Sequence, residues 1–115
     1  MTLQLQERIS LKPYNTFGVD VAARWFAQAH DDAEVREGIA AAVRKGLPLM
    51  VIGGGSNLLL TRDVEALALR MASRGVRVLS DDGERVVVEA EAGEVWDGFV
   101  RWTLSQGFAG LENLS

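Results

Sequence analysis

Cysteine is missing from this 115-residue chain. Its absence removes disulfides, thiolate catalysis and cysteine-bound zinc together. Histidine is nearly missing: His30 is the single one. With no second His and no Cys to share a metal, it reads as an exposed loop residue ahead of a helix. A basic excess is also lacking, since 12 Lys and Arg stand against 16 Asp and Glu for a net charge of −4. Without a Lys/Arg cluster there is no electrostatic footprint for nucleic acid and no polybasic patch for a membrane surface. No run approaches the roughly 20 apolar residues of a membrane span. The start, Met1 to Arg8, lacks the apolar core of a secretory signal. The expectation is a soluble, cytoplasmic protein.

What is present is an ordinary globular composition, 48% apolar and 24% charged, in a chain long enough for one modest domain. Residues 1 to 20 show no clear period and are punctuated by Pro13 and Gly18. Ala22 to Ala29 reads as a strand. A helix follows, with Asp31 as N-cap and Glu34 three residues on as its capping-box partner. Val35, Ile39, Ala42 and Val43 are its expected apolar stripe. Gly46 and Pro48 end it. Leu49 to Ile52 is a short apolar run, suited to a strand covered on both faces. Strand, helix, strand makes a βαβ unit with parallel strands. Ala66 to Met71 is a further strand candidate.

Then the pattern changes. Asp81-Asp82-Gly83 lies between two β-branched runs, Val76 to Leu79 and Arg85 to Ala92, which is a hairpin signal. Its acidic tip reads as a solvated charge cluster. A last helix is expected from Glu94 to about Gln106, burying Val95, Trp96, Phe99, Val100, Thr103 and Leu104 and closing at Gly107. The switch from parallel to hairpin pairing suggests two subdomains, 1–63 and 64–115. The ending at Ser115 has no cap or polar fade, and the chain is expected to be truncated.

The chemistry concentrates in Gly53-Gly54-Gly55-Ser56-Asn57, which interrupts a buried run. Three consecutive glycines suit a place where the backbone must turn sharply or approach a ligand closely. A P-loop would need Lys-Ser/Thr opening a helix, and here leucines follow. A Rossmann turn would need a glycine where Leu58 stands. Two readings remain: a nest of backbone N–H groups for a phosphate, with the Ser56 hydroxyl and Asn57 amide as further donors, or a structural turn. No Ser-His-Asp, Cys-His or metal constellation can be assembled. The residues offer a binding site without catalytic machinery.

Four landmarks, in order, extend the reading. They are Asn15-Thr16-Phe17-Gly18, Leu47 to Leu58 with the glycine turn, Glu91-Ala92-Gly93-Glu94-Val95-Trp96, and Gly110-Leu111-Glu112-Asn113-Leu114-Ser115. Together they resemble the UDP-N-acetylenolpyruvoylglucosamine reductase family, the MurB-type UDP-N-acetylmuramate dehydrogenases of bacterial peptidoglycan precursor synthesis. The resemblance implies an α+β, two-subdomain FAD-binding fold of the p-cresol methylhydroxylase or vanillyl-alcohol oxidase type. The first, βαβ-containing subdomain would be complete and the second only begun. It implies FAD as cofactor, NADPH as co-substrate and a UDP-sugar as substrate. Gly53, Gly54, Gly55, Ser56 and Asn57 would meet the FAD pyrophosphate, and Asn15, Thr16 and Glu112 to Ser115 would border the flavin cleft. The family's proton-donating serine, and the arginine and glutamate that stabilise its intermediate, belong to segments this chain does not hold, so no catalytic residue is assigned. The alternatives are another flavin oxidoreductase of the same fold, or a non-catalytic binding domain with a structural glycine turn.

Overall fold

A computed structural model describes residues 3–53 and 60–112. Among these residues six strands, two α-helices and a short 3-10 helix (Lys12–Tyr14) form two units. The first holds β1 (Gln6–Ser10), β2 (Ala22–Ala29), α1 (Asp32–Lys45), β3 (Leu49–Ile52) and β4 (Val64–Met71). Its sheet runs β1-β2-β4-β3, with β1 antiparallel to β2 and β4 parallel to both β2 and β3. The βαβ unit β2-α1-β3 is therefore present, with β4 inserted between its strands. The second unit is an antiparallel hairpin, β5 (Val76–Asp81) and β6 (Val86–Ala90), followed by α2 (Trp96–Ser105). The division expected at residue 64 coincides with the start of β4, which pairs within the first sheet.

Both faces of the first sheet are covered, which is why β4 reads Ala-Leu-Ala-Leu without a polar side. On one face Phe26, Ile52 and Ala68 pack under Leu11, Val21 and Leu60. On the other, Leu67 and Leu69 pack against Ala41 and Ala42 of α1. Gly38 lets that helix come close: a Cβ there would stand 2.9 Å from Leu69 Cδ1. This close seat rotates the buried stripe away from the expected one. Glu34, Gly38, Ala41 and Ala42 face inward, while Ile39 and Val43 are exposed. The expected cover over β3 is also incomplete, because β3 is an edge strand and Val51 faces out.

The α1 caps form as the sequence indicates. Asp31 Oδ1 accepts from the Glu34 N–H at 2.8 Å, and Glu34 Oε1 accepts from the His30 N–H at 2.8 Å. Gly46, at φ 65°, donates to the Ala42 and Val43 carbonyls. Replacing Asp31 by Ala removes an N-cap acceptor and should cost about 1 kcal/mol. That would appear as a midpoint shift in denaturant titration with the slope unchanged; an unaltered midpoint would refute the cap's contribution.

β1 escaped the sequence reading because its residues are mostly polar and exposed. Arg8, within it, has φ 54°, the one positive value outside glycine among the described residues. Opposite it the β2–β4 register shifts between Ala23 and Trp25. Those two residues, only two apart, consequently pack on opposite faces of the sheet. Regular strand alternation would have put them on the same face.

In the second unit the hairpin forms as expected. Asp82 Oδ1 accepts from the Glu84 and Arg85 N–H groups, and these bonds hold its carboxyl below the usual carboxylate range. Arg77 bridges the acidic pair, 2.9 Å from Glu89 and 2.7 Å from Glu91. Of α2's expected stripe, Phe99, Val100 and Thr103 are buried, while Val95, Trp96 and Leu104 are about half exposed. Trp96 packs its ring beside Phe99, 5.6 Å between centroids. The molecule measures 49 × 31 × 18 Å, and its radius of gyration of 16.5 Å exceeds the roughly 13 Å of a compact chain this long. The two units lie side by side and do not merge into one core.

Candidate functional site

The carboxyl ends of β2, β3 and β4 reach one end of the first sheet. There the Ala72 N–H donates to the Ala29 carbonyl at 2.7 Å, extending the β2–β4 pairing past Met71. In sheets with parallel strands this is the end at which ligands collect, because the connecting loops leave a crevice there. Gly53 closes β3 at this end. It is exposed, and the nearest atom to a Cβ built on it would be the Ala92 carbonyl oxygen at 3.9 Å.

Gly93 sits on the opposite wall. A Cβ there would collide with Ser73 O, and would lie 2.6 Å from Ser73 N and 2.7 Å from Ala72 C. The turn before α2 thus rests directly on the backbone that leaves β4. Two further links hold it: the Glu91 N–H donates to the Gly75 carbonyl at 2.9 Å, and the Gly75 N–H donates to Glu94 Oε2 at 2.6 Å. The first continues the β5–β6 pairing by one residue, the second ties the turn to the connection that follows β4, and Gly53 faces Ala92 of that turn.

Arg70, one residue before the end of β4, brings charge to this end of the sheet. It pairs in register with Ile52, the last residue of β3. Its Nη1 donates to Gln28 Oε1 at 2.7 Å, and its guanidinium lies 5.4 Å from the centre of the Tyr14 ring. Tyr14 in turn stacks on Phe26 at 4.7 Å. Neither Arg70 nor Gln28 stands out in the sequence as a site residue. The available signal was a lone charge at the end of an apolar strand.

The other residues tied to the cleft divide. Gly53 stands at the crevice, but Gly54, Gly55, Ser56 and Asn57 lie outside the described residues, as do Asn113, Leu114 and Ser115. Asn15 is buried and spent on its own loop: its amide donates to the Leu11 and Val19 carbonyls and accepts from the Val19 N–H. It pins the loop as structure and presents no free group. Thr16 and Phe17 are exposed at that loop's tip. Glu112 is exposed, and backbone N–H groups, its own and that of Gly110, hold its carboxyl below the usual range. His30 is an exposed partner of Glu34 at 2.9 Å. Among the described residues no group of His, Asp and Glu is placed to hold a metal ion. A groove of about 590 Å³ lies between the hairpin tip and the end of α2, lined in part by Val86, Val88, Thr103 and Phe108. It is separate from the crevice.

An exposed glycine ends β3, with open space around it except for the Ala92 carbonyl oxygen, and the adjoining guanidinium has no carboxylate partner among the described residues.

The sequence matches the FAD binding domain family over residues 23–115. It is 70% identical over all 115 residues to a UDP-N-acetylenolpyruvoylglucosamine reductase of Pseudomonas putida, and 69% identical to that of Pseudomonas aeruginosa. In both cases it covers 34% of the relative's length. The chain thus spans about a third of the curated relatives it matches. Its fold is similar to that of the reductase MurB from Thermus caldophilus, with a TM-score of 0.67 and 24% identity, covering 97% of this chain and 37% of that one.

Proposed function

We propose, from the premise that this chain belongs to the FAD-binding domain family, that it supplies the amino-terminal FAD-binding part of a UDP-N-acetylenolpyruvoylglucosamine reductase. The observation that carries this reading is the 70% identity maintained over every residue of the chain. The reaction is then the NADPH-dependent reduction of UDP-N-acetylglucosamine enolpyruvate to UDP-N-acetylmuramate, a cytoplasmic step toward peptidoglycan. FAD, when bound, supplies the hydride-transfer chemistry of that step.

The contribution of this chain is to bind and orient. Gly53, Gly54, Gly55, Ser56 and Asn57 would offer successive backbone N–H groups, with the Ser56 hydroxyl and Asn57 amide, to the pyrophosphate oxygens. Side chains at the glycines would fill the space the phosphates need. The joint between the units sets the width of the crevice at Gly53. Nothing in these residues moves a proton to substrate carbon.

The polypeptide of the complete reading frame should purify with bound FAD and oxidise NADPH when the enolpyruvyl substrate is supplied. A colourless protein that does not take up FAD, or a flavoprotein indifferent to that substrate, would overturn the reading. The 115-residue chain alone should show no reductase turnover, since the family's proton-donating serine belongs to a segment it does not hold. Product formation by this chain would show that its own residues suffice.

A further inference from the structure

We infer that Arg70 is the cationic contact for the pyrophosphate of the dinucleotide, held in place by Gln28 and Tyr14; this rests on the FAD reading above. Among the described residues Arg70 is the one arginine that is not exposed. Arg24, Arg74, Arg77 and Arg101 each have a carboxylate within 4.0 Å; among the described residues Arg70 has none, and the other arginines without one are exposed to solvent. Its neighbours do not neutralise it. Gln28 accepts one N–H at 2.7 Å, and the Tyr14 ring stands 5.4 Å from the guanidinium carbon. A guanidinium carries five N–H donors in a flat fork, so most remain available. Half-burying a cation without a counter-charge is unfavourable unless an anion completes the site.

The position selects the anion. Arg70 is level with Ile52 across the β3–β4 pair, one residue from Gly53 and at the carboxyl ends of the parallel strands. Its side chain lies on the Tyr14 and Phe26 face, away from α1. The amide oxygen and the ring fix the plane of the fork without consuming its charge. Such a fork matches two oxygens of a phosphate, which an ammonium cannot do in the same plane. A purely structural Arg70 would tie the Tyr14 turn to the sheet and would be indifferent to phosphate.

Titrating the complete-frame apoprotein with FAD and with riboflavin separates these roles, because riboflavin has the isoalloxazine but no phosphate. Loss of one charge-assisted contact corresponds to roughly a tenfold or greater loss of affinity. Arg70→Gln should therefore weaken FAD by about that factor and leave riboflavin unchanged, with Arg70→Lys intermediate. Added salt should weaken FAD binding to the unmodified protein more than to Arg70→Gln. FAD affinity retained within about twofold in Arg70→Gln would overturn the assignment, as would equal losses for FAD and riboflavin. Should Arg70→Gln fail to fold, Arg70→Lys decides: FAD weakened with riboflavin unchanged supports the contact, and no difference overturns it. An unmodified protein that binds neither flavin would instead sink the FAD reading itself.

Discussion

Phe26→Ala should lower the stability of the first unit by about 3–5 kcal/mol. Phe26 is fully buried on the central strand β2, in one cluster with Leu11, Ile52 and Ala68, and its ring stacks on Tyr14. Truncation removes the side chain that holds the Tyr14 turn against the sheet, and leaves a cavity that small neighbours such as Ala23 and Ala68 cannot close. Domains of this class hold only about 5–15 kcal/mol in total, so the variant should be partly unfolded or unfold in mild denaturant. Val43→Ala is the control. Val43 is 76% exposed, so its loss should stay within about 0.5 kcal/mol. Urea titration followed by helical circular dichroism, and by tryptophan fluorescence in a background where Trp96 and Trp102 are replaced by Phe, measures both. Equal, small losses at the two positions would mean that the Tyr14 face is not the core of this unit.

Gly93→Ala should separate the two units. The added methyl would meet backbone atoms of Ala72 and Ser73, none of which can rotate away as the end of a side chain could. Overpacking of this kind costs about 1–3 kcal/mol, and more where backbone must move. The cost falls on the joint, since β2, β3, β4 and α1 make no use of Gly93. The first unit should keep its denaturation midpoint, while proteolysis between Met71 and Val76 should accelerate and flavin affinity of the complete-frame protein should fall. Unchanged cleavage and affinity would show that the joint accommodates the methyl, and that its width does not govern the crevice. Gly98→Ala, at a glycine of α2 with nothing within 4 Å of an added Cβ, provides the comparison.

Most of the first unit is legible because local signals agree there. Asp31, Glu34 and Gly46 mark both ends of α1, and the apolar runs give β2, β3 and β4. Two of its features are not legible. The stripe of α1 is chosen by Gly38, a residue with no hydrophobicity, because its lack of a side chain permits the closest approach to Leu69. The insertion of β4 between β2 and β3 is a tertiary fact; sequence order suggests strands that follow one another. The site shows the same divide. A glycine run marks a place to look in the sequence, and Gly53 lies at the carboxyl end of β3. Arg70 and Gln28 are 42 residues apart, and only the parallel register brings them together. Asn15 was readable as a landmark and not as a structural pin, since its role lies in three backbone bonds to its own loop.

The left-handed Arg8 bears on how copies of this chain meet. A sheet grows between molecules when an outer strand offers an unbroken row of N–H and C=O groups to a neighbour. On β1 the reversal at Arg8 cuts that row into two-residue pieces, Gln6-Glu7 and Ile9-Ser10, and leaves a cation at the break. The opposite outer strand, β3, is four residues long. Stacking this sheet edge to edge would need both borders at once, and one of them is closed. Addition would therefore stop at a pair through β3, whereas the β5–β6 pair carries an irregularity of its own, a register shift between Val78 and Ser80.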